Sequence, residues 1–207
     1  MSAAPSLPDR LEEVWRRAAG ATPALRARFA AAAGKVGTVV HEAGSRDAAL
    51  RLVTQLAEGR GARRLVAADA KLAEGLGRAA PGLSNADAER DPASLLTAEW
   101  GISWAICGVA ETGSVIVHID PPDARLTTML PGVHAALLPE TAIVESLEDG
   151  LLVTRDRILR LQRAGRPSYL SWVTGPSRTA DIERVLTIGV HGPRELHIVL
   201  FAGEGPP

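Results

Sequence analysis

Apolar residues near the start of the chain recur at the three- and four-residue spacing of one helix face: Leu11, Val14, Trp15 and Ala18. The pattern predicts helix from Pro8 to Ala33, with Ser6 or Asp9 available to cap its start and the stretch Gly20 to Pro23 breaking it in two. The period then changes. Val36-Gly-Thr-Val-Val-His41 is a β-branched run closed by Gly44 and predicts a first strand. Ser45 follows as an N-cap, Ala49, Leu52, Val53 and Leu56 repeat at helical spacing until Gly59, and Arg64 to Asp69 predicts a second strand. Such strand–helix–strand units build parallel sheets with helices on their faces and right-handed crossovers.

A further helix is expected from Ala70, and the polar stretch Pro81 to Ala93 reads as loop. Ser103 to Val109 and Ser114 to Ile119 are two apolar runs joined by Ala110-Glu-Thr-Gly113, which predicts a tight connection between neighbouring strands. Val133 to Leu138 is another strand, Ile143 to Leu161 carries helical spacing, and Ser168 to Val173 is again a strand. The Gly175-Pro176 break leads into an expected short helix through Asp181 and Val185, Glu195 to Phe201 closes the sheet, and Gly203 to Pro207 is expected as a loose tail. The fold class implied is α/β: three layers, α/β/α, around a mainly parallel sheet. The organisation expected is an N-terminal helical segment over 1–35 followed by one α/β domain over 36–207.

Composition narrows the function. A net charge of -1 gives no basic surface for a phosphate backbone, so no nucleic acid is expected as a partner. Cys107 is the single cysteine, too few for an internal disulfide, an iron–sulfur cluster or a cysteine-based zinc site. His41, His118, His134, His191 and His197 are widely spaced with no metal-binding motif linking them, so neither a metal nor a cofactor is expected. Gly75-Leu-Gly-Arg-Ala-Ala80 matches a loosened dinucleotide fingerprint but follows a helix start instead of a strand, and no phosphate loop of the Gly-Lys-Ser/Thr kind occurs. The first residues lack a basic start with an apolar core, and no apolar run is long enough for a membrane span, so a cytoplasmic protein is expected.

Three polar segments carry candidate chemistry. In Ser171-Trp-Val-Thr-Gly-Pro-Ser-Arg-Thr-Ala-Asp-Ile-Glu183 a strand ends in Gly175 and Pro176 and hands over to the expected helix, whose free N–H groups, with Ser177, Thr179 and Asp181, are placed for an anion. The same residues also read as ordinary caps, with Asp181 offsetting the dipole. Glu111, in the turn that carries Thr112, Gly113 and Ser114, is a candidate base, nucleophile or orienting group, or a solvated turn carboxylate. His191 lies in Gly189-Val-His-Gly-Pro193 beside Gly192, where a ligand approaches closely, with His134 as a weaker companion; either is equally readable as a structural histidine. The expectation is that Glu111, Ser177, Thr179, Asp181 and His191 share one pocket beyond the carboxyl ends of the strands.

Taken in order, Ala110-Glu-Thr-Gly-Ser114, Gly175-Pro-Ser-Arg-Thr-Ala-Asp-Ile-Glu183 and Gly189-Val-His-Gly-Pro-Arg-Glu-Leu-His197 resemble the signature of the LUD-domain family, in particular its lactate-utilisation C-type branch, over about residues 36 to 202. The resemblance implies a fold similar to the ribose-phosphate isomerase, glucosamine-phosphate deaminase and CoA-transferase superfamily. It also implies a subunit that acts with iron–sulfur oxidoreductase partners in oxidising L-lactate to pyruvate and binds a small anionic metabolite. A stand-alone enzyme on a phosphosugar or CoA thioester is the alternative that the superfamily leaves open. Trp100-Gly-Ile-Ser-Trp-Ala-Ile-Cys-Gly108 is bulkier than the family pattern before its Glu-Thr-Gly turn.

Overall fold

A computed structural model describes residues 6–19, 23–88, 90–120, 122–166, 169–180, 186–189 and 191–203. Two helices, α1 (Leu7–Ala19) and α2 (Pro23–Lys35), lead into β1 (Val39–Ala43), α3 (Arg46–Gly59), β2 (Arg64–Ala67), α4 (Ala70–Ala79) and β3 (Ser84–Asp87). Next come β4 (Trp100–Val109), β5 (Ser114–His118), β6 (Val133–Pro139), β7 (Ile143–Val144) and α5 (Leu147–Arg163). The chain ends with β8 (Leu170–Val173), β9 (Arg178–Ala180), β10 (Leu186–Ile188) and β11 (Glu195–Phe201). Polar caps start the central helices, Ser45 among them as its position suggests. Ser45 accepts from the Ala48 N–H at 3.2 Å, and Asp69 from Leu72 at 2.9 Å. Ser146 and Asp149 close a reciprocal capping box on α5.

Six strands form a parallel core in the order β1-β11-β6-β4-β2-β3. The last strand therefore does not close an edge: β11 threads between β1 and β6, and burial on both faces accounts for its continuous apolar run. β4 serves two sheets. Its first half pairs with β2 and β6. The register then shifts between Ala105 and Cys107, and its second half pairs with β5 and β7, while β5 pairs on with β8. A bulge of this kind bends the strand and strengthens its twist.

Helices α3 and α4 cover one face of the parallel core, packing Val53, Ala57, Leu72 and Leu76 on Trp100, Ile102, Trp104, Leu137 and Phe201. The bulk of Trp100 and Trp104 thus lies on this face. On the other, α2 packs Phe29 among Ala136, Leu138 and Ile198 of the parallel core and Val115 and Val117 of β5. Helices α1 and α5 seal the far side of β5 and β8 through Leu11, Val14, Ile116, Leu152 and Val153. Each fully buried aliphatic side chain contributes roughly 1.5–3 kcal/mol relative to exposure.

Three local expectations are corrected. The polar stretch 81–93 contains β3, an edge strand held by backbone pairing with β2 (Leu65 opposite Asn85), which side-chain polarity concealed. Ile143 and Val144 form β7 ahead of α5 instead of its first turn. Where the helix through Asp181 and Val185 is expected to start, Arg178–Ala180 is the strand β9, paired antiparallel with β10, Thr179 opposite Thr187; residues 181–185 lie outside the described residues. Thr179 suits a strand as well as a cap, being β-branched, and the pairing satisfies backbone groups that a helix would have satisfied internally. Asp181 lies outside the described residues.

Candidate functional site

The first two polar segments meet at the C-terminal end of α2. Gly113, with φ of 70°, sits where a Cβ would overlap the backbone of Ala32 and Ala33, so the β4–β5 turn touches the helix directly. Gly175, with φ of 76°, packs in the same way on the Val36 carbonyl. The guanidinium of Arg178 covers Gly37 and donates through Nη2 to the Val36 carbonyl at 2.9 Å, a cation placed where a helix end is negative. Hydroxyls bridge the segments: Ser114 Oγ lies 2.7 Å from Thr112 Oγ1 and 2.7 Å from Thr174 Oγ1. Ser114 is buried and Thr112 half-buried.

The third segment closes on the second. The Ser177 N–H donates to the Pro193 carbonyl at 2.9 Å, and the Gly189 N–H donates to the Ser177 carbonyl at 2.9 Å. A Cβ on Gly192 would stand 3.1 Å from the Ser177 Cβ and 3.4 Å from its Oγ. The Arg194 side chain lies along Gly189, and the Arg194 backbone N–H donates to the Gly132 carbonyl at 2.8 Å, at the start of β6. These loops therefore gather at the amino ends of β1, β6 and β11. The expectation of a pocket beyond the carboxyl ends, with an anion on a helix N-terminus, is corrected accordingly: the helix end present here is the C-terminus of α2. His191, Lys35, Arg178 and Arg194 are exposed; Pro176 is half-buried.

Two candidates have other surroundings. Glu111 is exposed, and its Oε2 accepts from the Leu147 N–H at 2.9 Å, the first residue of α5. The carboxylate thus caps a helix N-terminus, where the dipole favours it. His134 is fully buried on β6, with Nε2 2.8 Å from Ser103 Oγ and Nδ1 lacking a partner, and burial pushes it down to about 4. Gly101, its register partner on β4, is covered by the Thr127 carbonyl, so this pair sits beneath a lid of chain and apart from the loop cluster.

A further group was missed from sequence. His41 on β1 and His197 on β11 lie side by side, with His41 Nε2 2.9 Å from His197 Nδ1. His197 Nε2 is 3.2 Å from Glu195, which pairs with Arg60. The only signal available was that Glu195 and His197 are two apart in a strand and share a face; nothing local announces His41 as their neighbour. Among the described residues, no group of three or more His, Cys, Asp or Glu could hold a metal ion, and no helix is long and apolar enough to cross a membrane.

Comparison with known proteins places the chain in a family. The model of the LUD domain matches residues 26–201, from α2 to the end of β11. The chain belongs to the LUD domain family. Relatives of this LUD domain include a lactate utilization protein C of Deinococcus radiodurans, 34% identical over 58% of this chain and 51% of that one. The protein of the same description from Bacillus subtilis is 31% identical over 56% of this chain and 49% of its own length. The chain thus spans about half the length of the curated relatives it matches. Among solved structures, a DUF162 family protein from Deinococcus radiodurans superposes with a TM-score of 0.57 at 21% identity, over 86% of this chain and 96% of that one, a likeness of fold.

Proposed function

We propose that this LUD domain is a component of a lactate-utilisation system that binds a small carboxylate or phosphate anion in its loop cluster and works alongside iron–sulfur oxidoreductase subunits. The observation that carries the reading is the joining of two loops through Ser177, whose N–H donates to the Pro193 carbonyl and whose carbonyl accepts from the Gly189 N–H; the joined loops carry the Ser177 hydroxyl, the arginines Arg178 and Arg194 and the exposed His191. Arginine pairs with carboxylate and phosphate oxygens in two-point contacts, and glycine lets such an anion approach the backbone. The names of the relatives support lactate as the metabolic setting.

In this reading Arg178 and Arg194 neutralise the anion, Ser177 donates to it, and Thr179 and Gly192 shape its surroundings. His191 exchanges a proton with it, while Glu111 positions the β4–β5 turn from the N-terminus of α5. Electron transfer falls to the partners, since a single buried cysteine offers no cluster ligands. The test is thermal unfolding of the whole protein with L-lactate, pyruvate or inorganic phosphate. A ligand at ten times its dissociation constant stabilises by about 1.4 kcal/mol, a readable rise in Tm. The rise is expected with at least one of these anions and should shrink in Arg194→Gln; no rise with any of them at tens of millimolar would overturn the reading.

A further inference from the structure

On the α3 side of the sheet, four side chains from three separate parts of the chain form one hydrogen-bonded line. Arg60, the C-cap of α3, pairs with Glu195 at the start of β11; Glu195 Oε2 lies 3.2 Å from His197 Nε2; and His197 Nδ1 lies 2.9 Å from His41 Nε2. The two imidazoles are within 3° of parallel, and Trp100 of β4 lies against His197 with ring centroids 5.0 Å apart. His197 is 1% exposed and His41 half-buried. Neither histidine belongs to the loop cluster described above.

Hydrogen-bond chemistry fixes the direction of this line. An ionised carboxylate only accepts, so His197 must carry its proton on Nε2. Neutral His197 then has a lone pair on Nδ1, which can only accept, so His41 must carry its proton on Nε2. What remains is a lone pair on Nδ1 of His41. Among the described residues that atom has no hydrogen-bond partner, and it is not buried.

We infer that Arg60, Glu195, His197 and His41 form a directional proton relay, in which a proton accepted at the open Nδ1 of His41 is stored on His197 beside Glu195. The step balances without any other reactant. A proton binds Nδ1 of His41, and the proton on its Nε2 crosses the 2.9 Å bond to Nδ1 of His197. His41 ends neutral with its proton on Nδ1, and His197 ends as an imidazolium facing the Glu195 carboxylate. The pair accepts one proton readily and resists a second, because a doubly protonated pair would set N–H against N–H.

The charged groups facing the pair are Arg60 from the end of α3 and Glu195 from β11, while β4 presents Trp100 and β6 sets Ala135 in register with His197. Burial, the largest influence, lowers the proton affinity of both histidines; Arg60 adds to it, and Glu195 pulls His197 the other way. The relay is therefore empty at neutral pH and fills only below the ordinary imidazole range.

Long-range ¹⁵N–¹H correlation spectra of the labelled whole protein test this. At pH 8 both histidines are expected with the proton on Nε2. On acidification one shared step should turn His197 into an imidazolium while His41 moves its proton to Nδ1. In Glu195→Gln that step should fall by about one pH unit or more, because the charge that stabilises the imidazolium is gone. Finding His197 protonated on Nδ1 at pH 8, or two independent full protonations whose midpoints Glu195→Gln leaves unmoved, would overturn the relay. The wild-type tautomers decide the matter even if the variant is unstable.

Discussion

Replacing Gly113 by alanine separates two reasons for a glycine that are usually confounded. Its φ of 70° lies in the left-handed region, where an L side chain costs roughly 1–2 kcal/mol. In addition, the new Cβ would overlap main-chain atoms of Ala32 and Ala33, which cannot rotate aside as a side chain could. Forcing α2 and the β4–β5 turn apart is an overpacking of the kind that costs roughly 1–3 kcal/mol more. The expected loss is thus roughly 2–5 kcal/mol, a large part of the roughly 5–15 kcal/mol that holds a domain of ordinary stability. Gly61 and Gly165 are the controls: their φ values are 76° and 64°, and a Cβ on either meets nothing within 4 Å. Gly61→Ala and Gly165→Ala should therefore show the left-handed cost alone. Urea unfolding of the three variants, compared by midpoint at unchanged slope, gives the difference directly. If Gly113→Ala costs no more than its controls, the close approach of the turn to α2 is not what requires glycine there.

Other outcomes follow from single observations. Ser146→Ala breaks the capping box of α5 and should cost about 1 kcal/mol in the same urea measurement. Cys107 is buried, and burial pushes its thiol well above the ordinary range, so a disulfide reagent should modify it only as fast as the protein opens, with urea accelerating the reaction. His134 is held neutral down to about 4, whereas the unfolded chain protonates it near 6.5. Its contribution is therefore complete above about pH 6.5 and is lost as pH falls toward about 4, by up to about 1.4 kcal/mol per pH unit. His134→Leu should be less stable at pH 8, because Ser103 loses its partner, yet show a shallower acid decline; an unchanged decline between pH 6.5 and 4 would place His134 in water.

What the sequence announced well were elements whose side chains repeat: the apolar faces of α3 and α5, the cap Ser45, and the apolar runs of β4, β6 and β11. What it concealed were features set by backbone pairing. β3 is a strand because β2 offers it a ladder, although Ser84-Asn-Ala-Asp87 has neither alternation nor branching. The segment after Gly175 reads as a helix start because Ser and Thr cap helices, but Thr also prefers extended backbone, and the pairing of β9 with β10 decides between the two. The candidate site divides in the same way. The sequence could name the three polar segments as candidates, and Ser177 does join two of them. That Glu111 turns to α5 and that His134 lies sealed behind Ser103 are consequences of packing, which no local spacing encodes.

The position of α2 ties these observations together. This helix covers the sheet with one side exposed, but on its inner side Phe29 and Ala33 are fully buried, and strands of both sheet portions surround Phe29. Backbones approach this closely only where side chains are small: Ala32 and Ala33 meet Gly113, while the connection after the helix meets Gly175 and the Arg178 guanidinium. The shape of the loop cluster is therefore set by the last turn of α2 and by Val36 and Gly37, and not by the cluster's own hydrogen bonds alone. A change at the α2 end, such as a larger residue at Ala33, would move the turn bearing Glu111; one at Val36 or Gly37 would move the loop bearing Arg178. Substitutions remote from any ligand would then alter binding through geometry, while residues that cap and pack, Gly113 and Glu111 among them, would look functional in an activity screen although their contacts are structural.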